Sequence, residues 1–96
     1  MSGDGMAAGG PGRRMLIVNE RGLHARAAAK FVATVQDFDA EVTVSKDGEC
    51  VSGKSIMGLM MLAAGPGTTI DVAASGTDAI AVLDALQALI DTRFDE

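Results

Sequence analysis

The residues able to do chemistry in this chain converge on one histidine. His24 lies in the segment "GLHARAAAKF", Gly22 to Phe31, where an alanine-rich run begins. Ser, Thr, Asp or Asn would cap a helix start better, so an imidazole there calls for a chemical reason. The unpaired N–H groups at a helix start carry roughly half a positive charge, which disfavours imidazolium and leaves a ring nitrogen free as a nucleophile. The same groups favour a dianionic phosphoryl group once it arrives. Arg26, two residues on, can add a charge-assisted hydrogen bond to phosphate oxygens, and the backbone N–H groups of Ala25 and Ala27 belong to the same first turn. Against this stands the ordinary place of a lone histidine in a small domain, packed or at the surface.

A second segment, "GKSIMGLMML", starts at Gly53 and places Ser55 as the N-cap of a short apolar helix. Ile56, Met57 and Met60 are either core or an exposed contact patch, and flexible methionines suit a surface that meets several partners. The overlapping "GECVSGKS", Gly48 to Ser55, also fits the G-x-x-x-x-G-K-[ST] pattern of a nucleotide-binding P-loop. That motif needs a loop between a buried parallel strand and a helix. Here the first glycine belongs to a hairpin turn and "ECVS" reads as strand, which leaves no loop to curl around phosphates.

The elements that must position these residues follow from periodicity. Residues 1–12 are glycine-rich without a repeat and are expected to be a disordered leader before a single domain at 13–96. "RRMLIVN" suits a strand, and Asn19 to Gly22 a turn. A helix is predicted over Ala25 to Gln36, with Ala28, Phe31, Val32 and Val35 on its buried face. "AEVTVSK" and "ECVSG" alternate on either side of Asp47-Gly48, which predicts a hairpin over residues 40–53. "AAGPG" ends the second helix, and "TTIDVAA" is a fourth strand with Ile70 and Val72 facing one way. A last helix follows Gly76 to Asp78, with a stripe of Ala79, Val82, Leu83, Leu86, Leu89 and Ile90. The order β-α-β-β-α-β-α predicts an α+β fold, a four-stranded antiparallel sheet with three helices on one face and a solvated opposite face marked by Thr43 and Ser45. A ferredoxin-like metabolite-binding domain has the same element count, so fold class alone settles no function.

Composition narrows the classes. The 96 residues are 48% hydrophobic and 22% charged, which suits one small soluble domain with one core. No apolar run approaches the ~20 residues of a membrane helix, and the N-terminus lacks a secretion signal, so a cytoplasmic protein that does not engage the membrane is expected. One histidine and one cysteine, Cys50, provide neither an internal disulfide nor a structural zinc site, and no metal or other cofactor is expected. A net charge of −5 with neither Trp nor Tyr argues against nucleic acid. The basic residues Arg21, Arg26, Lys30 and Lys54 nevertheless flank the two motifs, as a local anion site or as a solvated mixed surface.

"GLHARAAAKF" and "GKSIMGLMML" together closely resemble, in order and spacing, the two signature segments of the HPr family, the histidine-containing phosphocarriers of the bacterial phosphotransferase system. The resemblance runs from about Arg13 to the C-terminus. It implies an open-faced β-sandwich with strand order 1-4-2-3 and a monomeric carrier rather than an enzyme. In this picture Nδ1 of His24 takes a phosphoryl group from Enzyme I, ultimately from phosphoenolpyruvate, and passes it to an enzyme IIA-type acceptor in sugar uptake or nitrogen-related regulation. Arg26 would stabilise the phosphate, and Ser55 would be open to an HPr kinase/phosphorylase. Ile56, Met57, Met60, Lys30 and Lys54 would meet partners. Many family members have proline where this chain has Ala27, a change that keeps the N–H and an excellent helix former. The rival readings are a P-loop-like nucleotide binder through Gly48–Ser55 and a binding-only adaptor of the same fold.

Overall fold

The computed structural model describes residues 10–96. Its elements are strand β1 (Gly12–Leu16), helix α1 (Ala25–Gln36), strands β2 (Glu41–Lys46) and β3 (Glu49–Ser52), helix α2 (Ile56–Met61), strand β4 (Thr69–Ser75) and helix α3 (Ala79–Asp91), followed by a 3-10 turn at Arg93–Asp95. The four strands form one antiparallel sheet in the order β1-β4-β2-β3. Residues 1–9 of the expected leader lie outside the described residues. The end of that stretch needs correcting: Gly12 pairs with Ala73, and the Pro11 carbonyl accepts the Ala74 N–H at 2.9 Å. The glycine-rich composition hid a backbone that β4 can pair without any side chain contributing.

Local chemistry accounts for each element. Helix α1 buries Ala27, Ala28, Phe31, Val32 and Val35, and its alanines supply high helix propensity between them. The β2–β3 hairpin turns on Asp47 and Gly48 at φ +51° and +87°, the positive pair that matches strand twist. Val42 and Val44 point into the core while Thr43 faces solvent, so one sheet face is wet; there Arg14 meets its register partner Asp71 at 3.0 Å. Strand β1 stops at Leu16, short of the expected Asn19. Ile17 still bonds across, its N–H to Thr68 and its carbonyl from the Gly67 N–H, both at 2.9 Å. In α3, Leu89 stands only partly buried beside the stripe of Ala79, Val82, Leu83, Leu86 and Ile90.

The terminal turn is the unusual element. Arg93, Phe94 and Asp95 have φ of +59°, +55° and +58°, a left-handed run that costs about 1–2 kcal/mol per residue. It delivers the Phe94 ring into the core, where burial stabilises by about 1.5–3 kcal/mol. The Phe94 carbonyl also accepts a hydrogen bond from the Lys30 ammonium at 2.7 Å. The chain thereby returns Glu96 to the loop that precedes α1.

Candidate functional site

The loop that presents His24 is a tight turn seated on the segment after α2. The Gly22 N–H donates to the Asn19 carbonyl at 3.2 Å, and the Leu23 N–H donates to the Ala64 carbonyl at 2.9 Å. Gly22 sits at φ +64°, and a Cβ there would collide with that same Ala64 oxygen. Across from it Ala63 occupies φ +53° just beyond the end of α2, with its N–H on the Met60 carbonyl at 3.1 Å. This is the C-terminal position that glycine usually fills. Ala63→Gly removes the left-handed penalty at the cost of glycine's greater freedom when unfolded. Stability should rise by up to about 1 kcal/mol in a denaturant titration; a fall would mean that the Ala63 methyl packs favourably.

His24 is the N-cap residue of α1, extended at φ −75°, ψ 179°, and its side chain does not cap the helix. The first backbone bond of the helix runs from the Ala28 N–H to the His24 carbonyl at 2.8 Å. The N–H groups of Ala25, Arg26 and Ala27 therefore precede the ladder and are the natural anion donors of the helix end. The ring is half-buried, with Nδ1 3.1 Å from the Gly22 carbonyl oxygen. A carbonyl only accepts, so in this hydrogen bond Nδ1 carries the hydrogen and a neutral ring has its lone pair on Nε2.

Beside the ring lies a shallow open depression of about 240 Å³, lined by Arg21, Leu23, His24, Ala63, Ala64 and Gly65. The first motif contributes Leu23 and His24; the facing wall of Ala63, Ala64 and Gly65 immediately follows the second motif, none of whose own residues line the depression. The lining cation is Arg21. Arg26 is exposed at the helix start and is not among the lining residues. Ala25 is exposed and Ala27 fully buried. The Lys30 ammonium is engaged on Phe94, and Lys54 is exposed with its ammonium 3.8 Å from Glu41. Ser55 caps α2 by accepting the Gly58 N–H at 3.0 Å. Ile56, Met57 and Met60 are exposed, joined by Met61, while Leu59 alone of that helix is buried.

Sequence reasoning missed two supporting residues. Asn19 is fully buried, and its Nδ2 donates to the Gly22 carbonyl at 2.8 Å and to Glu96 Oε2 at 3.2 Å. Glu96 Oε1 accepts the Glu20 N–H at 2.9 Å. Partial desolvation works to raise the Glu96 carboxyl, yet the Asn19 carboxamide, the backbone N–H groups of Arg21 and Glu20 and the His24 ring hold it below the usual carboxylate range.

Gly48–Ser55 is a hairpin turn, strand β3, a second turn and a helix cap. Glu49–Ser52 is paired to β2, and the Gly53 N–H continues that pairing onto the Val42 carbonyl at 2.8 Å. No P-loop cradle forms, which removes the nucleotide-binding alternative. Among the described residues no cluster of three or more His, Cys, Asp or Glu could hold a metal ion, and no helix is long and apolar enough to cross a membrane.

A family model described as "PTS HPr component phosphorylation site" matches residues 12–92. The chain belongs to the HPr family of phosphocarrier proteins. It is similar to "Phosphocarrier protein NPr" of Shewanella violacea, 46% identical over 84 residues covering 88% of this chain and 92% of the relative. It is also similar to "Phosphocarrier protein HPr" of Pseudomonas aeruginosa, 48% identical over 87 residues covering 90% of this chain and 97% of the relative. Among solved structures, "HPr-C-His from Thermoanaerobacter tengcongensis" superposes with a TM-score of 0.86 at 39% identity, covering 91% of this chain and 98% of the other. The sheet order β1-β4-β2-β3 is that of the open-faced sandwich expected from the HPr motifs. HPr proteins are carriers rather than catalysts. The HPr match closes at Thr92, so the left-handed turn and Glu96 lie beyond it.

Proposed function

We propose that His24 Nδ1 accepts a phosphoryl group from the phosphohistidine of Enzyme I and passes it to a histidine of an enzyme IIA-type protein. The carrying observation is the placement of one imidazole at the mouth of α1, in a single depression with Arg21 and ahead of three N–H groups outside the helical ladder. Transfer between imidazoles through a loose transition state needs positioning and charge stabilisation more than an added base. Arg21 and the helix end supply both, with Arg26 available at the same helix start. The Nδ1 hydrogen must leave and the ring must turn from the Gly22 carbonyl before that nitrogen can attack.

The carrier works as a single chain in the cytoplasm, serving sugar uptake or nitrogen-related regulation; relatives bearing the HPr and NPr names are similar to it to nearly the same degree. Ile56, Met57 and Met60, with Met61, form the docking face, and Lys54 lies on the same segment. Contact through Lys30 would cost its bond to Phe94. Incubation with phosphoenolpyruvate and Enzyme I, followed by intact mass and acid treatment, tests the reading: one acid-labile phosphoryl group per chain is expected, and none would overturn it.

Ser55 is a regulatory site for an HPr kinase/phosphorylase in the same proposal. A phosphate there would place nearly two negative charges beside the exposed methionines. Ser55→Asp keeps a good N-cap and adds a charge that a helix N-terminus favours, so Tm should hold or rise slightly. Uptake from Enzyme I should fall several-fold at low carrier concentration, because the carboxylate must be desolvated on docking. Unchanged kinetics would leave Ser55 as a cap alone.

A further inference from the structure

A continuous hydrogen-bonded path joins the end of the chain to the imidazole. Glu96 holds the Glu20 N–H with one oxygen and Asn19 Nδ2 with the other; Asn19 Nδ2 also holds the Gly22 carbonyl; and that carbonyl faces His24 Nδ1. The orientation of Asn19 is forced. Its two neighbours are both acceptors, so turning the carboxamide over would set three oxygens against one another. Its own Oδ1 is left buried without a partner, and a buried orphan of this kind costs about 1–3 kcal/mol. Such a group in a native fold calls for an explanation. The one available here is that the carboxamide is aimed at Gly22.

We propose that Glu96, acting through Asn19 and the Gly22 carbonyl, is a positioning residue that holds His24 in its Nδ1–H resting form and thereby raises the phosphoryl-transfer potential of the phosphorylated ring. The inference rests on His24 being the phosphoryl acceptor. On uptake the donor's P–N bond breaks with its electron pair returning to the donor nitrogen, and the Nδ1 lone pair of His24 forms the new bond. The hydrogen that Nδ1 carries at rest leaves to water, and Nε2 takes one from water. The bond to Gly22 is lost in that step, so whatever strengthens it stabilises the empty carrier against the loaded one. The Glu96 carboxylate also repels a phosphoryl dianion on the same ring. Both effects favour the empty carrier and so make the loaded one a better donor.

Nitrogen-15 NMR of the His24 ring in the unphosphorylated protein reads the tautomer directly, and the exchange equilibrium with phospho-Enzyme I reads the transfer potential. In Glu96→Ala, the ratio of Nδ1–H to Nε2–H forms should fall by up to about fivefold, the ceiling set by the complete loss of one ordinary hydrogen bond, and the equilibrium should move toward the phosphorylated carrier by a similar factor. Glu96→Gln keeps an oxygen for the Glu20 N–H and should return the ring signals part of the way to wild type. Amide spectra should show all three proteins folded, since Glu96 is exposed. Unchanged ring signals in Glu96→Ala, or an equilibrium that stays put or moves toward the empty carrier, would overturn the proposal. A wild type that takes up no phosphoryl group would instead overturn the carrier reading, and the ring signals of the empty protein would still report whether Glu96 governs the tautomer.

Discussion

His24→Ala is expected to take up no phosphoryl group from phospho-Enzyme I under conditions that load the wild-type chain fully. Every other nucleophilic side chain at the site is absent: the depression is otherwise lined by Arg21, Leu23, Ala63, Ala64 and Gly65, and arginine stays protonated. His24 is the only histidine in the sequence, so no second imidazole can substitute. The fold should survive, because the His24 side chain caps nothing and its hydrogen bond lies on a carbonyl that Asn19 also holds. The check is intact mass after incubation, beside a thermal melt. A full, acid-labile gain in the folded variant would remove His24 from the mechanism.

Gly22→Ala is expected to damage stability and transfer together. At φ +64° a side chain costs about 1–3 kcal/mol from conformation alone. The new Cβ must also push back the Ala64 carbonyl, which already receives the Leu23 N–H. Relief requires the His24 loop to lift off the segment after α2, and a displacement of ~1 Å at a reacting group is worth up to about 100-fold in rate. A loss of at least about 2 kcal/mol in denaturant titration and of about 10- to 100-fold in initial uptake rate is expected. Gly48→Ala is the matched control. Gly48 also has positive φ, but a Cβ there meets nothing within 4 Å, so it should cost stability without affecting transfer. If Gly22→Ala behaved like Gly48→Ala, the seating of the loop on Ala64 would not matter to the site.

Features built from neighbouring residues were legible in the sequence. The α1 boundaries, the Asp47-Gly48 turn and the Ser55 cap depend on spacing and side-chain chemistry within one turn or one hairpin, and all three stand where expected. The sheet order came from the resemblance, not from periodicity. What stayed hidden depends on contacts distant in sequence. Lys30 looked like a free cation beside the motif, but its partner is a carbonyl 64 residues away. Nothing in "TRFDE" announces three left-handed residues, because that conformation is imposed by the room the core offers Phe94. Glu96 reaches Glu20 across 76 residues for the same reason. The exposure of Met61 is not legible because α2 is apolar at nearly every position, so its pattern does not say which side faces out. Arg21 was legible only as one of several basic residues around the motifs; its place in the depression follows from how the Gly22 turn seats against Ala64.

The depression beside His24 is open on its outer side, and this limits how long a phosphohistidine would last there. A deep pocket would exclude water with its own walls. Here the outer wall is missing, so a loaded carrier between partners meets solvent, and spontaneous hydrolysis competes with delivery. A docked Enzyme I or acceptor would close the site, drying it as it aligns the second imidazole. On this geometry the phosphoryl bond is exposed only in the interval between partners, and a short passage from donor to acceptor is what protects the cargo.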